Sequence, residues 1–151
     1  MYRYPLPIAR LASRSVRRHP PGHRMRTRHV VLLGSTGSIG TSTCQVADDL
    51  PDHVRLVGLA AGGNADLLIR QALHHRPRAV CIHDPAKVAA VRAALPADIA
   101  VFSGAEGLLR LAMLEGADIV LIAIVGTAGL QPALAAVRAG RDIAVASKEI
   151  P

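Results

Sequence analysis

The chain has 151 residues, of which half are apolar and 19% are charged, so it can bury a core and is not disordered throughout. Its length is that of one ordinary domain. Aromatic residues make up only 2% of the chain, which leaves almost no material for the base-stacking surfaces of single-strand nucleic-acid binders. The formal net charge of +7 is concentrated in residues 1–28, which hold eight Arg and no acidic residue, while the remainder is close to neutral. We therefore predict no nucleic-acid partner for the folded part.

Residues 1–28 form an Arg-rich arm that also contains four prolines, and we expect it to be disordered. Three explanations of the arm stay open. The start codon is assigned too early and Met25 is the true first residue, or the arm is an organelle-targeting segment, or it binds an anionic partner.

No membrane span is predicted, because the longest apolar stretch, residues 119–137, is interrupted by Gly, Thr, Gln and Pro. The two cysteines, Cys44 and Cys81, are not at the spacing of metal ligands and are typical of small apolar core residues. They indicate a reducing compartment, so we predict a cytoplasmic protein.

From residue 29 onward, short apolar runs alternate with stretches of helical periodicity. The predicted strands are residues 29–33, 54–60, 79–82, 99–102, 118–125 and 142–146. The predicted helices are residues 38–50, 64–75, 85–95 and 130–139, and a further helix ends near Leu114. Asp84 is predicted to cap the helix over residues 85–95. This alternation predicts right-handed crossovers and a parallel sheet covered on both faces. The fold class is therefore α/β, a doubly wound Rossmann-like domain over residues 29–151 with a mostly parallel sheet of about six strands.

A glycine triplet follows the first predicted strand directly. Gly34, Gly37 and Gly40 have the spacing GxxGxxG, a variant of the dinucleotide-binding fingerprint. The first glycine permits a tight exit from the strand, the second lets backbone N–H groups approach a pyrophosphate, and the third lets the helix pack close to the sheet. Thr36 and Ser38 can add hydroxyl donors, and the helix N-terminus adds unpaired amides. The position between a strand and a helix favours a dinucleotide site over a merely tight turn.

The end of the second strand indicates which dinucleotide would bind. An NAD site normally has Asp or Glu there to bind the ribose 2′-hydroxyl, whereas this chain has Gly62, Gly63 and Asn64. The two glycines leave room for a 2′-phosphate, and Asn64 caps a helix whose first amides point to the same place. NADP is therefore favoured. Asp66 in the first turn and the lack of a nearby Arg count against this preference, and Asn64 can also be only a cap.

Residues just after the last two strands lie where ligands bind in open α/β sheets. Residues 126–129 are small and would let a ring lie against the backbone, and Ser147, Lys148 and Glu149 follow the sixth strand. Lys148 can hold a phosphorylated or carbonyl substrate, and Glu149 can accept hydrogen bonds from ribose hydroxyls. The alternative is an exposed polar strand end without function.

The histidines carry less weight. His74, His75 and His83 have no partner at ligand spacing in the sequence, so no metal site is predicted within this chain. No Ser/His/Asp set and no pair of carboxylates suited to acid–base work is visible, and no catalytic residue is assigned.

Four motifs, in order, resemble one family. The segments are VVLLGSTGSIGTST, GLAAGGN, AIVGTAGLQPALAAVRAG and VASKE. They are similar to the amino-terminal NADPH-binding domain of the 1-deoxy-D-xylulose 5-phosphate reductoisomerase family, over about residues 29–150. The resemblance implies that the cofactor is contacted by Thr36, Gly37, Ser38, Ile39, Gly62, Gly63 and Asn64.

The terminal SKE is similar to the family's NKE motif. By this resemblance Ser147 and Glu149 contact NADPH and Lys148 contacts the sugar phosphate. Ser147 departs from the commoner Asn and has a shorter reach, and Gly63 stands where some members have Lys.

The resemblance implies an NADPH-dependent reductive isomerisation of 1-deoxy-D-xylulose 5-phosphate to 2-C-methyl-D-erythritol 4-phosphate in non-mevalonate isoprenoid biosynthesis. In the family a divalent metal, Mg or Mn, is bound by an acidic cluster that follows this domain, and the enzymes are homodimers. The sequence ends at Pro151, so we expect a truncated product or a fragment that is inactive alone. Two alternatives stay open: another NADP-dependent reductase, such as a semialdehyde dehydrogenase with a nucleophilic cysteine, or a non-enzymatic module that senses dinucleotides.

Overall fold

A computed structural model of the chain describes residues 26–146, and these residues form one six-stranded sheet with helices on both faces. The strands are β1 (Arg28–Leu33), β2 (Val54–Ala61), β3 (Ala79–Ile82), β4 (Ala100–Ser103), β5 (Ile119–Ile122) and β6 (Asp142–Val145). The helices are α1 (Ser38–Asp49), α2 (Ala65–His75), α3 (Val88–Ala94), α4 (Gly104–Ala112) and α5 (Leu130–Arg138), and short 3-10 turns occupy Pro85–Lys87 and Gly126–Gly129.

The strand order is β4-β3-β2-β1-β5-β6, and every neighbouring pair is parallel. The chain first builds outward from β1 to β4 and then returns to the other side of β1 for β5 and β6. The order therefore reverses between β1 and β5, and this switch point is where doubly wound sheets leave a crevice for ligands. The predicted fold class and the count of six strands are confirmed.

Two apolar cores lie on the two faces of the sheet. On one face Leu32 packs in a cluster that includes Leu68 of α2 and Val91 of α3. On the other face Val31 belongs to a cluster with Leu111 of α4. Because successive residues of a strand point to opposite faces, β1 contributes to both cores and is apolar throughout its buried part. Within residues 26–146, no helix has the length and hydropathy needed to cross a membrane.

The boundary between the arm and the domain is earlier than predicted. Residues 26–28, which we assigned to the disordered arm, belong to the fold: Arg28 starts β1, and Arg26 pairs with Asp118 at 3.0 Å. The side chain of Thr27 donates to the carbonyl oxygen of Asp52. These contacts attach the chain to the amino ends of the strands. Residues 1–25, the rest of the predicted arm, lie outside the described residues.

The fifth strand is the largest difference from the prediction. We predicted residues 118–125, but β5 ends at Ile122, and Val125 is 85% exposed. The amide of Ala123 still bonds Leu33 O, after which the chain leaves the sheet toward the turn at Gly126–Gly129. The apolar run therefore continues past the strand into a loop.

The third predicted helix is divided in two. Pro85–Lys87 form a 3-10 turn, and α3 begins only at Val88. Asp84 is the predicted cap, and its side chain accepts from the amide of Ala86. This short-range bond fixes a tight turn before the α-helix starts.

Candidate functional site

The glycine loop, residues 34–40, lies at the switch point between β1 and β5. Gly34 has φ +96°, and a Cβ there would lie 2.5 Å from Ala123 O, so only glycine fits where the chain leaves β1 against the end of β5. The amides of Gly34 and Ser35 both donate to Ala60 O, at 2.9 and 2.8 Å. These bonds attach the start of the loop to β2, the neighbour on the other side.

The third glycine brings α1 onto this strand exit. A Cβ on Gly40 would lie 2.1 Å from Gly34 O and within 2.6 Å of backbone atoms of Ser35. The predicted role of Gly40 in close helix packing is confirmed. Gly37 differs, because a Cβ there would meet only Gly34 O at 3.9 Å and its φ is an ordinary −79°. The fold does not require a glycine at position 37.

Several backbone amides of the loop have no acceptor in the described part of the chain. The first intrahelical bond of α1 runs from Thr41 N to Gly37 O, which leaves the N–H groups of residues 36–40 without a protein partner among residues 26–146. The first turn of α1 has no acidic side chain, and Gly37 provides no capping side chain. The N-terminus of α1 therefore combines free donors with partial positive charge, which favours an anion.

A buried side chain holds the loop from behind. Ser35 is fully buried, and Gln71 of α2 donates from Nε2 to its carbonyl oxygen at 2.8 Å. Gln71 is not among the residues predicted from the sequence. A Gln at a core-facing position of a helix that otherwise buries Ala and Leu was the available signal.

The turn after β2, residues 62–64, lies at the same edge of the sheet, since β2 runs parallel to β1. All three residues are exposed, and a Cβ on Gly62 or Gly63 would meet nothing within 4 Å. Asn64 caps α2 as predicted, accepting from the amide of Leu67 at 3.2 Å.

Lys87 brings a cation to this turn. Its Nζ donates to Gly63 O, although the two residues are 24 positions apart. The sequence shows no Arg near this turn and does not predict Lys87 there, because the 3-10 turn after β3 is what carries Lys87 toward β2. The carboxyl edge around Gly62 and Gly63 therefore has open space and one positive side chain.

The other predicted site residues have different outcomes. Thr36 is half-buried, whereas Ser38 and Ile39 are exposed at the start of α1. Residues 126–129 form a 3-10 turn after β5, at the same edge as the glycine loop. Ser147, Lys148 and Glu149 lie outside the described residues.

The chain is similar in sequence to proteins of one known family. The sequence model of the family described as 1-deoxy-D-xylulose 5-phosphate reductoisomerase matches residues 30–150. A 1-deoxy-D-xylulose 5-phosphate reductoisomerase from Synechococcus sp. is 48% identical over 124 residues, covering 80% of this chain and 31% of the relative. One from Acaryochloris marina is 44% identical over 124 residues, with the same coverage. The chain thus spans about a third of the length of the curated relatives it matches.

Solved structures are similar as well. The reductoisomerase from Zymomonas mobilis in complex with NADPH superimposes with a TM-score of 0.75 at 36% identity, covering 82% of this chain and 32% of that one. A reductoisomerase in complex with NADPH, fosmidomycin and magnesium has a TM-score of 0.74 at 37% identity, covering 81% of this chain and 30% of that one.

Proposed function

The chain belongs to the 1-deoxy-D-xylulose 5-phosphate reductoisomerase family, and we propose that it is the NADPH-binding domain of such an enzyme, spanning residues 26–151. The observation that carries this proposal is the set of free amides at residues 36–40, at the switch point of the sheet. A diphosphate supplies the acceptors and the negative charge that these amides lack.

Four loop residues would hold the diphosphate. Thr36, Gly37, Ser38 and Ile39 offer consecutive N–H groups, and the first and third of them add hydroxyls. The fold does not require a glycine at position 37, and a ligand that approaches the backbone closely gives a reason for one.

The adenosine 2′-phosphate would lie at the turn after β2. Gly62 and Gly63 provide space, Asn64 adds an amide side chain, and Lys87 provides the positive charge. Lys87 supports NADPH over NADH, because an ammonium group stabilises a phosphate more than a neutral hydroxyl. Lys87 also places a cation beside Gly63, the position at which some members of the family have Lys.

Ser147, Lys148 and Glu149 keep the roles that the resemblance implies. Ser147 and Glu149 would contact the cofactor, and Lys148 the phosphate of the sugar substrate. They directly follow Ala146, whose amide bonds Ile122 O at the carboxyl end of β5. This attachment supports their placement at the ligand edge of the sheet.

The whole enzyme would carry out the NADPH-dependent conversion of 1-deoxy-D-xylulose 5-phosphate to 2-C-methyl-D-erythritol 4-phosphate. When bound, NADPH supplies the hydride, and this chain binds and orients it. The divalent metal, Mg or Mn, would be held by residues outside this domain. In the described part of the chain the one group of three close metal-ligating side chains, Asp48, His74 and His75, is at the ends of α1 and α2 rather than at the glycine loop.

The alternative of a semialdehyde dehydrogenase is not favoured. That chemistry needs a thiolate, and burial raises the pKa of Cys44 to about 11, with Asp48 adding to the effect. Burial alone raises the pKa of Cys81 to about 11. Both thiols are protonated at neutral pH, and both belong to the apolar cores.

We place the protein in the cytoplasm, with a sugar phosphate as substrate and a homodimer as the assembly of the full-length enzyme. The two free, buried cysteines support a reducing compartment. The similar structure that binds fosmidomycin supports a site for a small phosphorylated substrate.

A fluorescence titration of the purified chain with NADPH and with NADH tests the proposal. We expect saturable binding of NADPH and weaker binding of NADH. Equal affinity for both would refute the assignment of the 2′-phosphate, and the absence of binding by either would refute the cofactor site.

A further inference from the structure

Three metal-ligating side chains meet where α1 and α2 end. Asp48 is in the last turn of α1, and His74 and His75 are the last two residues of α2. Nε2 of His74 lies 2.7 Å from Oδ1 of Asp48, and Nδ1 of His75 lies 4.0 Å from the same oxygen. One ligand atom from each residue lies within 4.8 Å of the other two. Asp48 precedes His74 by 26 positions, so spacing in the sequence does not predict that they are partners.

The charges of α1 are the reverse of what its dipole favours. Its first turn has no acidic residue, its last turn has no basic residue, and Asp48 and Asp49 lie at its negative end. Acidic side chains at that end are repelled by the partial negative charge of the helix. A cation between α1 and α2 would offset this repulsion, since it would face the negative ends of two helices and a carboxylate.

The two histidines differ in burial. The side chain of His75 is 10% exposed, whereas that of His74 is 65% exposed. An imidazole coordinates a metal through the lone pair of a ring nitrogen. The rings of His74 and His75 lie edge to face, with centroids 4.7 Å apart, so their nitrogens can approach one ion from different directions.

We propose that Asp48, His74 and His75 bind a zinc ion. Tetrahedral Zn²⁺ with ligands at about 2.0–2.1 Å places donor atoms about 3.3 Å apart. The distances of 2.7 and 4.0 Å from Asp48 to the two histidines lie on either side of this value. Two imidazoles and one carboxylate favour Zn²⁺ over Mg²⁺, which prefers oxygen donors.

This zinc site is separate from the proposed cofactor site. Asp48 is ten residues along α1 from Ser38, which corresponds to about 15 Å at the rise of an α-helix. The ion would therefore join α1 to α2 and stabilise the fold, because it binds the folded state more tightly than the unfolded chain. NADPH binding does not depend on it.

The test is a calorimetric titration of the full chain with ZnCl₂ after EDTA treatment, with thermal unfolding as a second measurement. Asp48→Asn and His74→Gln change exposed side chains and remove one ligand each, and His75→Gln removes the third. His53→Gln is the matched control, because His53 is exposed, follows α1 and is not part of the cluster. MgCl₂ is titrated in parallel.

We expect one zinc ion per chain at this cluster and a melting temperature that rises with zinc and returns with EDTA. Each ligand variant should lose roughly tenfold or more in zinc affinity, since even the loss of an outer partner of a metal ligand costs roughly 10–100-fold. The control should bind as the unchanged chain does. Zinc binding that persists in Asp48→Asn and His74→Gln, or that is lost equally in His53→Gln, would overturn the proposal. Should His75→Gln fail to fold, the two exposed variants decide.

Discussion

Replacing Gly40 with Ala tests the packing that shapes the glycine loop. The added Cβ would lie 2.1 Å from Gly34 O and 2.5 Å from the carbonyl carbon of Ser35. Both contacts are to backbone atoms, so the overlap can be removed only if α1 or the end of β1 shifts by about 1 Å. Gly40→Ala therefore acts on the loop geometry and not on a flexible side chain.

The expected cost follows from two opposing effects. Overpacking costs about 1–3 kcal/mol, and the upper end applies here because backbone atoms are displaced. Ala is more favourable than Gly within a helix by about 1 kcal/mol. We therefore expect the free energy of unfolding to fall by about 2 kcal/mol. At about 4 °C per kcal/mol for a domain of this size, the melting temperature should fall by about 8 °C.

Urea unfolding followed by circular dichroism measures this change, and Gly62→Ala is the matched control. A Cβ on Gly62 meets nothing within 4 Å, so the stability of that variant should change by no more than about 0.5 kcal/mol. Equal stability of Gly40→Ala and Gly62→Ala would show that Gly40 is not needed for the packing of α1 on the strand exit.

Three further predictions concern other parts of the domain. Lys87→Met should weaken NADPH binding about fivefold, the equivalent of about 1 kcal/mol, and leave NADH binding unchanged in the same titration, because only NADPH carries the phosphate that Lys87 would contact. Gln71→Met should lower the free energy of unfolding in urea by about 1–3 kcal/mol, since it leaves the buried carbonyl of Ser35 without its donor; an unchanged value would contradict the supporting role of Gln71. The third prediction concerns Asp118, which accepts a hydrogen bond from the amide of His29. This bond, the side chain of His29 and the charge of Arg26 hold the pKa of the Asp118 carboxyl below its ordinary value of 3.8. Because this pKa is lowered in the folded state, the ionised carboxylate stabilises the fold above about pH 3.8, and the stabilisation is lost on further acidification. Asp118→Asn should therefore be less stable than the unchanged chain at pH 7, and the difference in stability should shrink below about pH 4.

The local patterns predicted most of the fold. The apolar runs and the glycine triplet placed β1, α1 and the loop between them, and Asn64 was identified as a cap, because each of these depends on neighbours within a few residues. The length of β5 was overestimated, since an apolar residue such as Val125 can be exposed in a loop. Hydrophobicity alone does not show where a strand leaves its sheet.

Contacts between distant parts of the chain were not predictable in this way. Lys87 reaches Gly63 only because β3 lies next to β2, and Gln71 reaches Ser35 only because α2 packs on β2, the neighbour of β1. Such pairs follow from the register and the crossovers, which a single sequence does not specify residue by residue. The cation beside Gly63 is therefore not predicted from the sequence, whereas the space at Gly62 and Gly63 is.

The most direct test of the cofactor site places a negative charge at the start of α1. Ser38→Asp adds a carboxylate among the free amides of the first turn. A negative charge is favourable at the N-terminus of a helix, so the variant should be as stable as the unchanged chain. Ser103→Asp is the control, since it adds the same charge at the N-cap of α4. We predict that Ser38→Asp weakens NADPH binding about tenfold or more through repulsion of the diphosphate, and that Ser103→Asp leaves it unchanged. Equal NADPH affinity in the two folded variants would contradict the assignment of the glycine loop as the diphosphate site.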